Sequence, residues 1–246
     1  EILEFDGRTG VFLSSPRGQG IANAVYGLLE DHLGCHWFTP GEIGEHIPQR
    51  RTVTLDIPGN RDISKPDFER RTPWYNGNVN KHLTREETTQ LVTWYRRNRN
   101  GGPLGSAGHG WGQMFTQEVF DSIDEDGDGI SDLMPMLDGR RMGGGLCMSH
   151  PRVVDIAAQW YIKFFDAHPE YDHWSFSQGD SMLFCECDRC KDMGSNHGAH
   201  MLIMSNGVIE KVNRVHPTKR ITIMPYEKTL NPPEEFISAS PNLNPI

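Results

Sequence analysis

Hydrophobic and polar positions follow two different periods along this chain. Residues 9–15 read as a strand, and residues 20–34 carry apolar side chains at helical spacing, with Gly34 placed to end the helix. These elements predict a small α/β domain over residues 1–60. A linker rich in Gly, Asn, Asp and Pro is predicted at residues 59–68.

Beyond this linker, strand-like and helix-like segments alternate. The strands are predicted at residues 67–76, 105–112, 173–180 and 220–227, and the helices at residues 84–99, 150–168 and 198–216. Thr84 and Glu87 have the spacing of a capping box, and Pro151 suits the first turn of a helix. Alternation of this kind predicts a parallel sheet, and no Gly-rich phosphate loop follows a strand, which favours an α/β barrel over a dinucleotide-binding fold. A complete barrel takes roughly 250 residues, so residues 66–246, with four strands, are expected to form its first half.

Composition narrows the classes of partner. The chain has 246 residues, 36% of them hydrophobic, which is enough for a globular core. Its formal net charge of -9 is spread without basic clusters, so we expect no nucleic-acid partner. No run of about 18 apolar residues occurs, so no membrane span is expected. The start at Glu1 without an initiator Met suggests a fragment of a longer protein.

The predicted strand ends carry residues suited to carbohydrate. Aromatic rings offer flat apolar faces for sugars, while Arg, Asn, His and carboxylates hydrogen-bond hydroxyl groups. The candidate substrate-binding residues are Arg71, Trp74, Asn76, His109, Trp111 and Tyr226. Glycosidic cleavage usually needs two carboxyl groups, and the candidates are Asp180, which follows Gly179 at a strand end, and Glu227. The alternative interpretations are that the aromatic residues belong to the core, that Asp180 is a turn aspartate and that Glu227 lies in an exposed loop.

An acidic segment at residues 124–132 has the spacing of a calcium loop. Its carboxylates occupy positions 1, 3, 5 and 9 of that loop and are Asp124, Asp126, Asp128 and Asp132. Pro135 stands at position 12, where a bidentate Glu is usual. We expect one weak structural calcium site, the alternative being a solvated acidic turn. Weak sites fill where calcium is abundant, which favours a secreted or periplasmic setting.

Three cysteines with the spacing C-x-C-x-x-C form a third candidate site. Cys185, Cys187 and Cys190 would bind zinc if a fourth ligand such as Cys147, His197 or His200 converged on them. A disulfide involving Cys147 and a set of unlinked cysteines remain alternatives. No organic cofactor is expected.

Five stretches of the chain resemble one bacterial family, called domain of unknown function 4838. They are "AVYGLLEDHLGCHWFTPGEIGEHIP", "PDFERR", "GLCMSHPRVVDIAAQW", "FSQGDSMLFCECDRC" and "ITIMPYEKTLNPP". The characterised branch of that family is glycoside hydrolase family 163, whose members are endo-acting β-N-acetylglucosaminidases on N-glycans. The resemblance implies a small hexosaminidase-like α/β domain before a (β/α)8 TIM-type barrel, with retaining hydrolysis assisted by the substrate's acetamide group. Asp180 then matches the family's strand-end aspartate, and Arg71 a sugar-binding arginine.

Two further hypotheses compete with a glycoside hydrolase. One is a non-catalytic carbohydrate-binding protein on a hydrolase-like scaffold, since fold alone does not establish catalysis. The other is a zinc-dependent hydrolase at the cysteines, which is weaker because four protein ligands would leave no open position on the metal.

Overall fold

The computed structural model divides the chain into two compact units, residues 1–103 and 104–246. The structure describes residues 2–5, 8–15, 18–53, 55, 66–68, 70–71, 82–102, 105–180 and 183–245. The linker predicted at residues 59–68 lies largely outside these ranges.

The first unit combines two small antiparallel strand pairs with two helices. Its elements are strands β1 (Ile2–Phe5), β2 (Arg8–Val11), β3 (His36–Trp37) and β4 (Glu45–His46) and helices α1 (Gly18–Gly27) and α2 (Arg85–Arg97). β1 pairs with β2, and β3 pairs with β4. A π-helical turn, Leu28–His32, extends α1. Gly34 follows it with a positive φ of 70°, which agrees with its predicted role in ending the helix.

Helix α2 forms where its sequence predicts it. The Thr84 hydroxyl accepts from the Glu87 N–H, and the Glu87 carboxylate accepts from the Thr84 N–H, which confirms the capping box. The helix then docks on β3, because the Trp94 indole N–H donates to the Trp37 carbonyl at 2.8 Å. Local capping and long-range hydrogen bonds, among them one from Arg97 to Glu45, thus fix this helix.

The second unit is built around a parallel sheet. Its strands are β5 (Met136–Leu137), β6 (Arg140–Arg141), β7 (Gly145–Leu146), β8 (His173–Ser175), β9 (Leu183–Phe184), β10 (Arg220–Ile223) and β11 (Leu243–Pro245). Its helices are α3 (Trp111–Met114), α4 (Gln117–Asp121), α5 (Pro151–Ala167), α6 (Asp188–Met193) and α7 (His197–Asn213). Pro151 lies in the first turn of α5, as predicted.

The strand order of this sheet follows the order of the chain. Residues 105–109 pair in parallel with β8 through Gly105–His173 and His109–Ser177, and β8 pairs in parallel with β10. β10 pairs in parallel with β11. A sheet whose parallel strands are added in sequence is the arrangement expected for part of a barrel, but the same order occurs in open sheets. The barrel therefore stays a prediction.

Helices α5 and α7 cover the sheet. Both bury apolar side chains, among them Tyr161, Phe165, Met204 and Ile209. The hydroxyl of Tyr161 donates to the Ser175 carbonyl at 2.7 Å, which ties α5 to β8. The polar strand ends therefore stand on a packed core.

No described helix is both long enough and apolar enough to cross a membrane.

Candidate functional site

Three neighbouring strands of the parallel sheet are followed by polar residues that lie close together. His109 ends the first parallel segment, Asp180 follows β8 and Tyr226 follows β10. Nε2 of His109 lies 3.2 Å from Oδ1 of Asp180, and the Tyr226 hydroxyl donates to the same oxygen at 3.0 Å. The carboxyl ends of parallel strands share one edge of a sheet, which explains why residues separated by more than 100 positions form one cluster.

The hydrogen bonds of His109 define its tautomer. Nδ1 lies 2.5 Å from the backbone carbonyl of Gln178, and a carbonyl only accepts, so Nδ1 carries a proton. Its other nitrogen, Nε2, faces Oδ1 of Asp180. The backbone contact at Nδ1 therefore orients the ring toward the carboxylate, as in histidine–carboxylate pairs that serve acid–base chemistry.

Tyr226 stays a hydrogen-bond donor over the physiological pH range. Its partial burial and its bond to Asp180 raise the pKa of Tyr226 to about 12. Thr229 supports it, because the Thr229 Oγ1 accepts from the Tyr226 N–H at 3.1 Å and donates to the Tyr226 carbonyl at 2.9 Å. Oδ1 of Asp180 is thus held on two sides, while its side chain remains 83% exposed.

A cavity of about 230 Å³ lies beside this cluster. It is bordered by Gln178 and Gly179, directly before Asp180, and by Trp111, two residues after His109. The amide N–H of Gln178 donates to Thr229 at 2.9 Å, but its buried Oε1 has no partner among the described residues. An unsatisfied buried acceptor costs about 1–3 kcal/mol, so a donor from a bound ligand or water would be stabilising there. The remaining wall is mainly apolar, as small-molecule and cofactor pockets commonly are, and consists of Phe115, Phe120, Leu146, Leu183 and Phe184 with adjacent glycines.

Glu227, the second predicted carboxyl group, has a strained backbone. Its φ is +54°, a conformation that costs a residue with a Cβ of order 1–3 kcal/mol. It is exposed and follows Tyr226 directly. Strain at the end of a strand next to a polar cluster is a known feature of functional sites.

The other predicted sugar-binding residues do not all lie at this cluster. The Trp111 indole N–H donates to the Phe176 carbonyl at 3.1 Å, so its ring, but not its N–H, is offered to the cavity. Arg71 lies in the first unit, where its guanidinium donates to the carbonyls of Arg99 and Phe68 at 3.1 and 2.7 Å. Trp74 and Asn76 lie outside the described residues.

The acidic loop brings three of its four predicted ligands together. Carboxylate oxygens of Asp124, Asp126 and Asp128 lie within 4.8 Å of one another on the surface. Asp124 also accepts the N–H groups of Gly127 and Gly129 at 2.8 and 3.0 Å. Turn bonds of this kind occur both in solvated acidic turns and in calcium loops, and the calcium site stays a prediction.

Asp132, the fourth predicted calcium ligand, is engaged elsewhere. It is buried and forms an ion pair with Arg141. Burial alone would raise the pKa of Asp132, but the N–H of Glu125, at 2.7 Å, and the guanidinium of Arg141 outweigh it and lower the pKa. The spacing pattern assigned Asp132 to position 9 but could not reveal Arg141, which is the partner that the fold supplies.

The cysteines converge, and the fourth member of the group is Cys147. The Sγ atoms of Cys147, Cys185, Cys187 and Cys190 lie within 4.8 Å of one another, and all are free thiols. His197 instead stacks on Phe184, with ring centroids 4.1 Å apart, and is not part of this group. His200 bonds to the Gly194 carbonyl through Nε2.

Sequence reasoning missed two supporting residues. Ser149 lies 3.0 Å from the sulfur of Cys190, and Thr229 holds Tyr226 and Gln178. Ser149 stands two positions after Cys147, which is the available signal for it. Thr229 stands three positions after Tyr226, but no local signal shows its bond to Gln178, which is 51 positions away.

These features define an α/β protein with a polar cluster at consecutive parallel strand ends. The family model described as "Domain of unknown function (DUF4838)" matches residues 39–244, and the chain belongs to that family. The resemblance of its motifs to this family is thereby confirmed. No curated protein and no solved structure matches the chain.

Proposed function

We propose that this chain forms part of a glycoside hydrolase and that the carboxylate of Asp180 acts directly on the substrate. The observation that carries the proposal is the cluster of His109, Asp180 and Tyr226 at three successive strand ends, beside a cavity bordered by Trp111. Such strand ends are where barrel enzymes place their chemistry. The parallel order of the strands supports the first half of a barrel, although the family description assigns no function.

In this proposal Asp180 orients or activates a group next to the scissile bond. Oδ1 accepts from Tyr226 and contacts His109, and no described residue donates to Oδ2, which leaves that oxygen for substrate. With an N-acetylated sugar, Oδ2 would accept the acetamide N–H and increase the electron density on the acetamide oxygen. That oxygen would then attack the anomeric carbon while Glu227 protonates the departing oxygen, and water would later open the resulting ring.

The proposed partner is an oligosaccharide or glycan. The proposed location is secreted or periplasmic, where such substrates and calcium both occur. The glycan partner follows from the proposed function, and the location follows from that function and from the acidic loop as a calcium site.

A non-catalytic carbohydrate-binding protein is the second candidate. The observation that favours it is the 83% exposure of the Asp180 side chain, since catalytic carboxyl groups usually work in water-excluded sites. Ring faces and hydrogen-bonding groups would then bind sugar without cleaving it.

The test compares Asp180→Asn with Asp166→Asn in the protein that contains this chain. Asp166 is a matched control, because its carboxylate also lies 3.2 Å from a histidine nitrogen, in His216, away from the strand ends. The substrate is an N-glycosylated protein, and glycan release is followed by mass spectrometry. We expect Asp180→Asn to lower turnover by about 10²–10⁴-fold, the usual contribution of acid–base catalysis, and Asp166→Asn to leave it unchanged.

Other outcomes are equally informative. Unchanged turnover in Asp180→Asn would refute the assignment of this residue. A wild-type protein that retains the glycan on a column but releases none would support the binding protein instead.

A further inference from the structure

We propose that Cys147, Cys185, Cys187 and Cys190 together bind one zinc ion in a closed tetrahedral site. The proposal does not depend on the glycosidase function. It rests on the sulfur positions, on the strand register that produces them and on the polar donors around the sulfurs.

The sulfur positions match the geometry of a single ion. Cys147 Sγ lies 3.8 Å from the sulfurs of Cys187 and Cys190, and all four Sγ atoms lie within 4.8 Å of one another. A tetrahedral ion with Zn–S bonds of about 2.3 Å places its sulfurs about 3.8 Å apart. A disulfide needs sulfurs at about 2.05 Å, and an iron–sulfur cluster spreads its cysteines over several iron atoms. One four-coordinate ion fits these distances best.

Strand register accounts for two of the ligands. β7 and β9 are parallel, and Leu146 pairs with Phe184. The next residues along the two strands are Cys147 and Cys185, so this register places them side by side. Gly145 is needed for the pairing, since a Cβ there would lie 2.1 Å from the Leu183 carbonyl oxygen.

The C-x-x-C turn supplies the other two ligands. Cys187 precedes α6, and Cys190 lies in its first turn. The turn returns the chain toward Cys147, which is itself completely buried, as is Cys190. Two separate segments, 38 residues apart at their nearest ligands, are thus joined at one point.

Polar donors around the sulfurs argue against a simple apolar cluster of cysteines. The Met136 N–H donates to Cys185 Sγ at 3.2 Å, and the Ser149 hydroxyl lies 3.0 Å from Cys190 Sγ. Such donors stabilise thiolates, which are the form that binds metal.

The ion itself follows from the ligand set. Four thiolates in tetrahedral geometry favour zinc among the common divalent metals. Four protein ligands leave no position for water or substrate, so this zinc is structural. It would join β7 to β9, and both strands border the cavity next to Asp180. The ion therefore would hold one wall of the candidate site.

The first experiment measures metal content in the purified full chain under reducing conditions. We expect about one zinc per chain by elemental analysis, since one closed site is present. Cys187→Ser should lose the zinc. Cys35→Ser is the matched control, because Cys35 is also a free buried cysteine but lies in the first unit, and it should retain the metal.

A second experiment guards against variants that fail to fold. Cobalt(II) is added to the metal-free wild-type protein and to Cys187→His, in which a nitrogen ligand replaces one sulfur. Wild type should give a tetrahedral cobalt–thiolate spectrum, and the variant should keep a tetrahedral spectrum with about one quarter of the sulfur charge-transfer intensity lost. Absence of zinc and of any cobalt–thiolate spectrum in folded wild type would overturn the proposal. So would iron in place of zinc, a disulfide among the four cysteines, or equal metal content in Cys187→Ser.

Discussion

The buried ion pair between Asp132 and Arg141 allows a sharp prediction about stability. The two side chains are only 9% and 10% exposed, so solvent screens them little. Removing one partner from such a pair costs about 3–5 kcal/mol, because it leaves the other charge buried alone. Arg141 also donates to the carbonyls of Asp132 and Met134, at 2.9 and 3.0 Å, and these bonds survive the change. For Asp132→Asn we therefore expect the lower end, about 3 kcal/mol.

This loss is large enough to measure directly. At about 2–4 °C per kcal/mol for a chain of this size, Tm should fall by roughly 6–12 °C. Urea and thermal unfolding are followed by circular dichroism, once with a chelator and once with excess calcium. Asp124→Asn, a change in an exposed carboxylate of the same loop, should cost less than about 1 kcal/mol in chelator. Asp132→Asn should lose the same stability in both buffers.

Two results would contradict this reasoning. If Asp132→Asn equals wild type in chelator and differs only with calcium, Asp132 acts as a metal ligand and not as the partner of Arg141. If Asp132→Asn/Arg141→Gln, which has neither charge, is no more stable than the sum of the single changes predicts, the two residues are not energetically coupled.

Three further predictions concern other parts of the chain. Glu227→Gly removes the Cβ that makes a positive φ costly, so the free energy of unfolding should stay equal or rise by up to about 1 kcal/mol. Glycan cleavage should fall in the same variant. A clear loss of stability in urea unfolding would show that the backbone of Glu227 is not strained. His150 is buried, and this burial is the main cause that lowers its pKa, while its Nδ1 accepts the Arg152 N–H. As the pH falls, the unfolded chain therefore takes up a proton at this residue before the folded chain does. Stability should then decrease as the pH drops below about 6.5. His150→Asn keeps a capping acceptor and should lose less stability than wild type between that pH and its folded pKa, and equal pH profiles would refute the assignment. Calcium should raise the Tm of wild type but not of Asp126→Asn, and an unchanged wild-type Tm would leave a solvated turn as the correct interpretation.

Local elements were predictable because their causes lie within a few residues. The side chains of Thr84 and Glu87 accept each other's backbone N–H groups within one helical turn, so the start of α2 follows from four adjacent residues. The strands at residues 173–180 and 220–227 were placed correctly from their apolar runs, although the observed strands end sooner. The observed strands are shorter because a strand ends where its backbone hydrogen bonds to the neighbouring strand end, and not where the apolar pattern ends.

The candidate site was predictable only in part. Asp180, His109 and Tyr226 were each selected as strand-end residues, and the structure brings these three together. Arg71 was selected both as a strand-end residue and by resemblance, but the structure shows its guanidinium bound to backbone carbonyls of its own unit. A side chain's type shows which bonds it is able to make, but neighbours distant in sequence decide which bonds it does make.

The sequence by itself determined the family, the helix starts and the residue types at the strand ends, because these depend on short stretches of chain. Only the tertiary structure decided three pairings: His109 with Asp180, Asp132 with Arg141, and Cys147 with the C-x-C-x-x-C turn. Each of them joins segments that the folded sheet or loop brings into contact. The physical reason is that charge pairing, proton sharing and metal binding all act over a few ångströms in space, whatever the separation along the chain.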